Sequence, residues 1–73
     1  MSDSNTNNDK LIRLKEKLGL SQPEIAKYAA VSVDSVKAWC SPKPDRWREM
    51  RNRDWRYLQF ELREAGLIDS ISN

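Results

Sequence analysis

The sequence predicts an all-α fold, a compact domain of four or five short helices. Apolar residues recur at the three- and four-residue intervals of helices, and no segment within the predicted domain shows the two-residue alternation of a half-buried strand. Residues that cap or break helices divide the chain into short helical stretches. With 73 residues, the chain is long enough for one domain with a small core.

Polar stretches lie at both ends of the predicted domain. Residues 1–8 are rich in Ser, Asp and Asn, and we expect them to form a disordered tail. They lack the apolar run of a signal peptide, and no stretch approaches the roughly 18 apolar residues of a membrane span. We therefore expect a cytoplasmic protein with its domain at residues 9–68 and a flexible tail over residues 69–73.

A leucine stripe predicts the first helix. Asp9 is a good N-cap for a helix that begins at Lys10, and Gly19 suits the left-handed position that ends it. Three leucines share one face of this helix: Leu11, Leu14 and Leu18.

Two short helices follow, joined by a tight turn. Ser21 and Glu24 match a capping box, and Pro23 lies in the first turn, where its missing N–H costs nothing. Ala30 lies in the turn, and Ser32 is a good N-cap for the second helix, over residues 33–40. The residues predicted to be buried are Ile25, Ala26, Ala29, Val33, Val36, Trp39 and Cys40.

Prolines separate these helices from the rest of the chain. Pro42 and Pro44 stop the helix that precedes them. The spacing of Trp47 and Met50 fits either a helical turn or a loop folded back on the core. We expect both side chains to pack in the core.

The amino-acid composition argues against an enzyme or a metalloprotein. The chain has no histidine and a single cysteine, Cys40. The commonest general base is therefore missing, and neither an intrachain disulfide nor a cysteine zinc cluster can form. We predict no catalytic activity, no metal, no cofactor and no small-molecule ligand.

The positive charge is concentrated in one stretch, which we call the basic segment. The chain carries a net charge of +2, whereas residues 43–56 carry six basic and three acidic side chains, a balance of +3. A local cationic band favours a polyanionic partner more than the total charge indicates. Taken alone, the segment is better explained as a solvated arginine-rich loop.

The paired helices carry the most informative motif, a central helix-turn-helix. Gln22 opens the first helix, the small Ala26 follows, Ala30 occupies the turn, and Val36 and Trp39 line the second helix. This arrangement closely resembles the helix-turn-helix of phage repressors and Cro proteins, although Ala30 stands where that family usually has glycine. In size and layout, the chain also resembles anti-CRISPR-associated autorepressors.

This resemblance implies a sequence-specific regulator, a repressor or autorepressor that binds an inverted repeat in double-stranded DNA. Helix 33–40 would then enter the major groove. Lys37 could contact guanine or a phosphate, and Asp34 could accept from cytosine or simply favour the helix N-terminus. The candidate base-contacting residues are Ser32, Asp34, Ser35, Lys37 and Ala38. None of them is an arginine or asparagine, so the helix is short of strong base readers.

Phosphate contacts are expected from two places. Gln22 resembles the residue that fixes the first helix on the DNA backbone in this family, and Ser21 could assist. The basic segment would supply the remaining contacts through Lys43, Arg46, Arg48, Arg51 and Arg53. One of its arginines could instead enter a groove and read a base.

The last helix is predicted to begin at Trp55, with Asp54 as its N-cap, and to end near Ala65, before Gly66. Its core face is expected to contain Trp55, Leu58, Leu62 and Ala65.

An aromatic face of this last helix predicts a homodimer. Tyr57 and Phe60 lie opposite the core face, and a domain of this size gains from a partner subunit. The expected interface comprises Tyr57, Phe60, Leu67, Ile68 and Ile71. Such a dimer would place two recognition helices about 34 Å apart. Alternatively, Tyr57 or Phe60 packs on the loop 42–50.

Two other functions fit the same motif. The domain could be a protein-interaction module, such as an inhibitor or an antitoxin-like adaptor, whose basic loop binds an acidic partner. It could also be an architectural protein, such as an excisionase, that bends DNA. The weak base-reading power of helix 33–40 keeps the protein-interaction module open.

Overall fold

The computed structural model describes residues 6–71, and within them the chain forms four α-helices and no strand. The helices are α1 (Asn7–Leu18), α2 (Gln22–Ala29), α3 (Val33–Cys40) and α4 (Asn52–Glu64). α2 packs against α3 and α4, and α1 packs against the same two helices. The predicted all-α fold is confirmed. None of the helices described here has both the length and the apolar content needed to cross a bilayer.

One apolar core joins all four helices. Leu11, Ile25, Val36 and Leu58 come from α1 to α4 in that order, and each is fully buried. Met50 adds a side chain from residues 41–51, which we call the connecting segment. The other buried apolar residues are Ala26, Ala29, Trp39, Trp55 and Leu62. Burial of one large apolar side chain contributes about 1.5–3 kcal/mol, so this cluster supplies most of the stability.

α1 begins earlier than the sequence predicts. The Thr6 hydroxyl accepts from the backbone N–H of Asp9 at 3.2 Å, so Thr6 is the N-cap and the predicted cap at Asp9 is wrong. Asn7 and Asn8 belong to the helix, and Asn8 is only 2% exposed, so the predicted disordered tail does not include them. The rest of that tail, residues 1–5, lies outside the described residues, as do residues 72 and 73.

The predicted end of α1 and the predicted starts of α2 and α3 are confirmed. Gly19 ends α1 in the left-handed conformation, with φ of 69°. Glu24 N–H donates to Ser21 Oγ at 3.3 Å, and Ser21 N–H donates to Glu24 Oε1 at 2.9 Å, which completes the capping box. The Ser32 hydroxyl accepts from Ser35 N–H at 3.2 Å and caps α3. α2 and α3 have eight residues each, too few for stability alone, so they depend on these caps and on packing.

α4 also differs from its predicted limits. It begins at Asn52, after Arg51, which makes no side-chain cap hydrogen bond, so the predicted cap at Asp54 is wrong. Asp54 lies in the first turn, where a negative charge favours the helix dipole. Ala65 is exposed and follows the last helical residue, so its predicted place in the core is also wrong. The predicted core residues Trp55, Leu58 and Leu62 are buried.

The turn between α2 and α3 gives a first prediction. Ala30 has φ of 60° and is the only non-glycine residue with positive φ in the described part of the chain. Ala30→Gly should raise the free energy of unfolding by roughly 0.5 kcal/mol, because the relief of about 1–2 kcal/mol exceeds the added backbone entropy. Urea denaturation measures this change. Ala65→Gly is the control, because Ala65 is exposed and right-handed, and it should not raise the free energy of unfolding. If both variants lowered that free energy equally, the strain assigned to Ala30 would be contradicted.

Candidate nucleic-acid interface

α2, the turn 30–32 and α3 form a helix-turn-helix. Val31 N–H donates to the carbonyl of Ala26 at 3.1 Å and closes the end of α2. Ala26 and Ala29 are buried, and they are small enough to let packed backbones approach. The turn thereby fixes which face of α3 remains outside the core.

That outer face carries the residues expected to contact bases. Ser32, Asp34 and Lys37 are exposed, while Ser35 and Ala38 are half-buried. The hydroxyls of Ser32 and Ser35 lie 3.1 Å apart in a hydrogen bond, so part of their bonding capacity is used within the helix end. Asp34 and Lys37 are the charged groups that α3 offers to a ligand.

The start of α2 is less open to phosphate than the sequence suggests. The Ser21 hydroxyl donates to Glu24 Oε1 at 3.2 Å, so a carboxylate already occupies this helix N-terminus. A phosphate approaching Ser21 would meet like charge. Gln22 is half-buried in the first turn. The phosphate contacts expected of Ser21 and Gln22 stay predictions.

Buried hydrogen bonds hold the connecting segment against the helices. Arg48 N–H donates to the carbonyl of Ala38 at 3.1 Å, which ties the segment to α3. Asn8 Nδ2 donates to the carbonyls of Arg48 at 2.7 Å and Trp39 at 3.0 Å. Asn8 Oδ1 accepts from Met50 N–H at 2.8 Å. The segment is therefore an anchored part of the fold.

Asn8 is the positioning residue that sequence reasoning missed. Its two N–H donors and its oxygen are all bonded, which satisfies a polar group buried in the core. The neighbouring Asn7 extends the anchor, because its Nδ2 donates to the carbonyl of Met50 at 3.0 Å. Its position in the sequence could have revealed its burial, because Asn8 lies three residues before Leu11 and continues the buried stripe of α1.

A cleft of about 460 Å³ lies between α3 and the connecting segment. The α3 side is formed by Ser32, Asp34, Ser35 and Ala38. The segment contributes Asp45, Arg46, Trp47 and Arg48. The structure thus brings four of the five predicted base-contacting residues together with two arginines of the basic segment.

A second groove of about 470 Å³ lies beside the first. It holds Arg51 and Arg53, and it shares Ser35 and Arg48 with the first cleft. Four of the five predicted basic phosphate contacts therefore flank α3. The fifth, Lys43, is exposed and lines neither groove.

Trp47 does not pack in the core as predicted; its side chain is 42% exposed. The connecting segment turns tightly before it reaches the core, because the N–H groups of Arg46 and Trp47 both donate to the carbonyl of Lys43, at 3.1 and 2.9 Å. Met50 enters the core instead, as predicted. Trp47 is left at the mouth of the first cleft.

The aromatic face of α4 is uncovered. Tyr57 and Phe60 are 44% and 46% exposed, so neither is buried against the connecting segment. Leu67, which lies beyond the helix end, is also exposed, and Ile71 is half-buried. Ile68 packs partly against the core.

The single thiol offers no obvious chemistry. Cys40 is half-buried, and burial raises the pKa of its thiol above the usual value, while the charge of Lys15 opposes the shift. A thiol with a raised pKa stays protonated at neutral pH and is a poor nucleophile. Within residues 6–71, no three His, Cys, Asp or Glu side chains are grouped so that they could hold a metal ion.

Comparison of the chain with protein-family models, with curated proteins and with solved structures gives no match. The chemistry of the surface itself is therefore the guide to the function. That surface combines the outer face of α3, two flanking grooves and the exposed arginines that line them.

The anchoring role of Asn8 gives a second prediction. Asn8→Ala should lower the free energy of unfolding by about 3 kcal/mol, because it leaves buried backbone groups of Trp39 and Met50 without a partner. Asn7→Ala is the matched control and should cost only about 1 kcal/mol, since its bonds are partly exposed. Urea denaturation of both variants measures the difference. If both variants lost the same free energy of unfolding, Asn8 would not be the main anchor of the connecting segment.

Proposed function

We propose that the protein binds double-stranded DNA sequence-specifically through α3 and the connecting segment and regulates transcription. The observation that carries this proposal is the fixed position of the segment, whose backbone bonds hold its arginines beside the exposed face of α3. A preorganised cationic surface loses less conformational entropy on binding a polyanion than a mobile loop does.

In this proposal α3 lies in the major groove with its N-terminal half towards the bases. Asp34 and Lys37 face base edges, where a carboxylate accepts from cytosine and an ammonium donates to guanine. Arg51 and Arg53, in the second groove, contact phosphates and supply the salt-dependent part of the affinity. The base contacts thus supply sequence specificity, and the phosphate contacts supply affinity for any sequence.

We further propose that the protein acts as a homodimer through α4. Tyr57 and Phe60 form an exposed aromatic face, which is costly to leave in water. In an antiparallel pair of α4 helices centred on Phe60, Arg56 of one copy lies opposite Glu64 of the other, since each is four residues from Phe60. The two-fold axis thus pairs opposite charges on both sides of the aromatic contact.

A dimer of this kind suits an inverted-repeat operator. Its two α3 helices would enter successive major grooves about 34 Å apart. Binding across a promoter would block transcription, so we favour a repressor, acting on its own operon, in the cytoplasm where the DNA is accessible.

A second candidate function is a protein-interaction module, and the exposure of Trp47 is the observation that favours it. Exposed tryptophan flanked by arginines is common at the centre of protein interfaces. A domain that binds a protein has no need to discriminate between DNA sequences. The comparison of two duplexes below therefore separates the two functions.

DNA binding gives a third prediction. Fluorescence anisotropy with a duplex from upstream of the protein's own reading frame, and with a scrambled duplex, should show tighter binding to the first by at least about 10³-fold. The double change Arg51→Ala/Arg53→Ala should weaken both duplexes and lower the slope of log affinity against log salt by about 2, between about 50 and 200 mM salt.

Lys17→Ala is the control for this experiment, because Lys17 is exposed on α1 and lines neither groove beside α3. It should leave both affinities and the salt slope unchanged. Equal binding to the two duplexes would refute sequence-specific regulation. Absence of binding at low salt would refute DNA binding and leave the interaction module.

The dimer gives a fourth prediction. Phe60→Glu should convert the protein from dimer to monomer in size-exclusion chromatography with light scattering, because it places like charges at the two-fold axis. Trp47→Glu is the matched control, since its side chain is similarly exposed but lies on the other surface. A wild-type monomer, or a dimer that survives Phe60→Glu, would contradict the proposed interface.

A further inference from the structure

We infer that Arg48 reads a base in addition to the contacts made by α3, and that the cleft between α3 and the connecting segment recognises a G·C pair. The inference rests on the proposed DNA-binding function and assigns part of its specificity to a residue outside α3. Three observations support it: the anchoring of Arg48, its position, and the charge of the cleft.

The backbone of Arg48 is fixed on both sides. Its N–H donates to the carbonyl of Ala38 at 3.1 Å, and its carbonyl accepts from Asn8 Nδ2 at 2.7 Å. Its side chain is exposed. Reading a base by two parallel hydrogen bonds needs accurate placement of the guanidinium, and a fixed backbone provides it at a low entropic cost. Contact with a phosphate carries no sequence information, so specificity does not demand such placement there.

Arg48 is also the basic residue placed most centrally against α3. Arg48 and Ser35 line both grooves, whereas Arg46, Arg51 and Arg53 each line one. Ser35 lies on the face of α3 that would point to the bases. A side chain that borders both grooves at this face is positioned to follow α3 into the major groove.

The charge of the first cleft favours a base edge over a phosphate. Arg46 and Arg48 are balanced there by Asp34 and Asp45, so the net charge is zero. The second groove holds three arginines against two acidic side chains, a net charge of +1, and suits phosphate better. A G·C pair presents guanine acceptors and a cytosine donor side by side in the major groove. An arginine and a carboxylate together match that pattern.

α3 itself carries no arginine, the residue that most often reads guanine. Arg48 supplies that missing group from the neighbouring segment, and Asp34 or Asp45 supplies the acceptor for cytosine. Arg51 and Arg53 keep the phosphate role. The basic segment is thereby divided between base reading in the first cleft and backbone contact in the second groove.

Selection from a random duplex library tests this division, with the full-length wild type, Arg48→Ala, Arg48→Lys and Arg53→Ala. The wild type should enrich a motif with a fixed G·C pair in each half-site. Both Arg48 variants should lose the preference at that pair alone, because lysine keeps the charge but not the two parallel donors. Arg53→Ala should keep the whole motif while binding every sequence more weakly.

Defined duplexes then give the magnitude. Replacing the G·C pair by A·T should weaken the wild type by about 10- to 100-fold and should leave the affinity of the Arg48 variants nearly unchanged. The salt slope should be unchanged in Arg48→Lys and lowered in Arg53→Ala. Urea denaturation checks folding, and Arg48→Lys keeps the comparison valid if the alanine variant is unstable.

The outcomes distinguish a failure of base reading by Arg48 from a failure of sequence-specific DNA binding. An unchanged motif in both Arg48 variants, with a lower salt slope in Arg48→Ala, would make Arg48 a phosphate contact and overturn the inference while leaving DNA binding intact. A wild type that enriches no motif would overturn the proposed function and the inference together.

Discussion

One buried amide group joins three parts of this small protein. Asn8, in the first turn of α1, bonds to the carbonyl of Trp39 near the end of α3 and to backbone groups of Arg48 and Met50 in the connecting segment. The segment has no regular structure of its own, so its backbone groups near the core need partners from elsewhere. In a low-dielectric core, such bonds hold their partners strongly and are costly to lose. The same group therefore completes the core and fixes the surface beside α3.

The parts of the fold that local chemistry determines were predictable from the sequence. The capping box of Ser21 and Glu24, the cap at Ser32 and the glycine end at Gly19 lie where the pattern predicted them. Each depends on residues within four positions of one another, so sequence spacing contains the information. The apolar periodicity of α2 and α3 likewise identified Ile25 and Val36 as core residues.

The parts that long-range contacts determine were not predictable. Asn8 is a polar residue in a polar stretch, and its burial depends on backbone groups about 30 to 40 positions away. The spacing of Trp47 and Met50 predicts that both side chains pack in the core, but the turn at Lys43 leaves only Met50 to enter it. The composition of the candidate site was visible from the sequence. Its arrangement in two grooves of different charge was not, because that arrangement depends on the anchor at Asn8.

The anchoring of the connecting segment also has a consequence for how such a protein diverges. The bonds that fix Arg48 use its backbone N–H and carbonyl, while the side chains from Arg46 to Glu49 are exposed. Exposed substitutions usually change stability by no more than about 0.5 kcal/mol. Point mutations here can therefore replace these exposed side chains one by one without rebuilding the scaffold. Descendants of one ancestral chain can acquire different surface chemistry beside α3 while they keep the same folded framework.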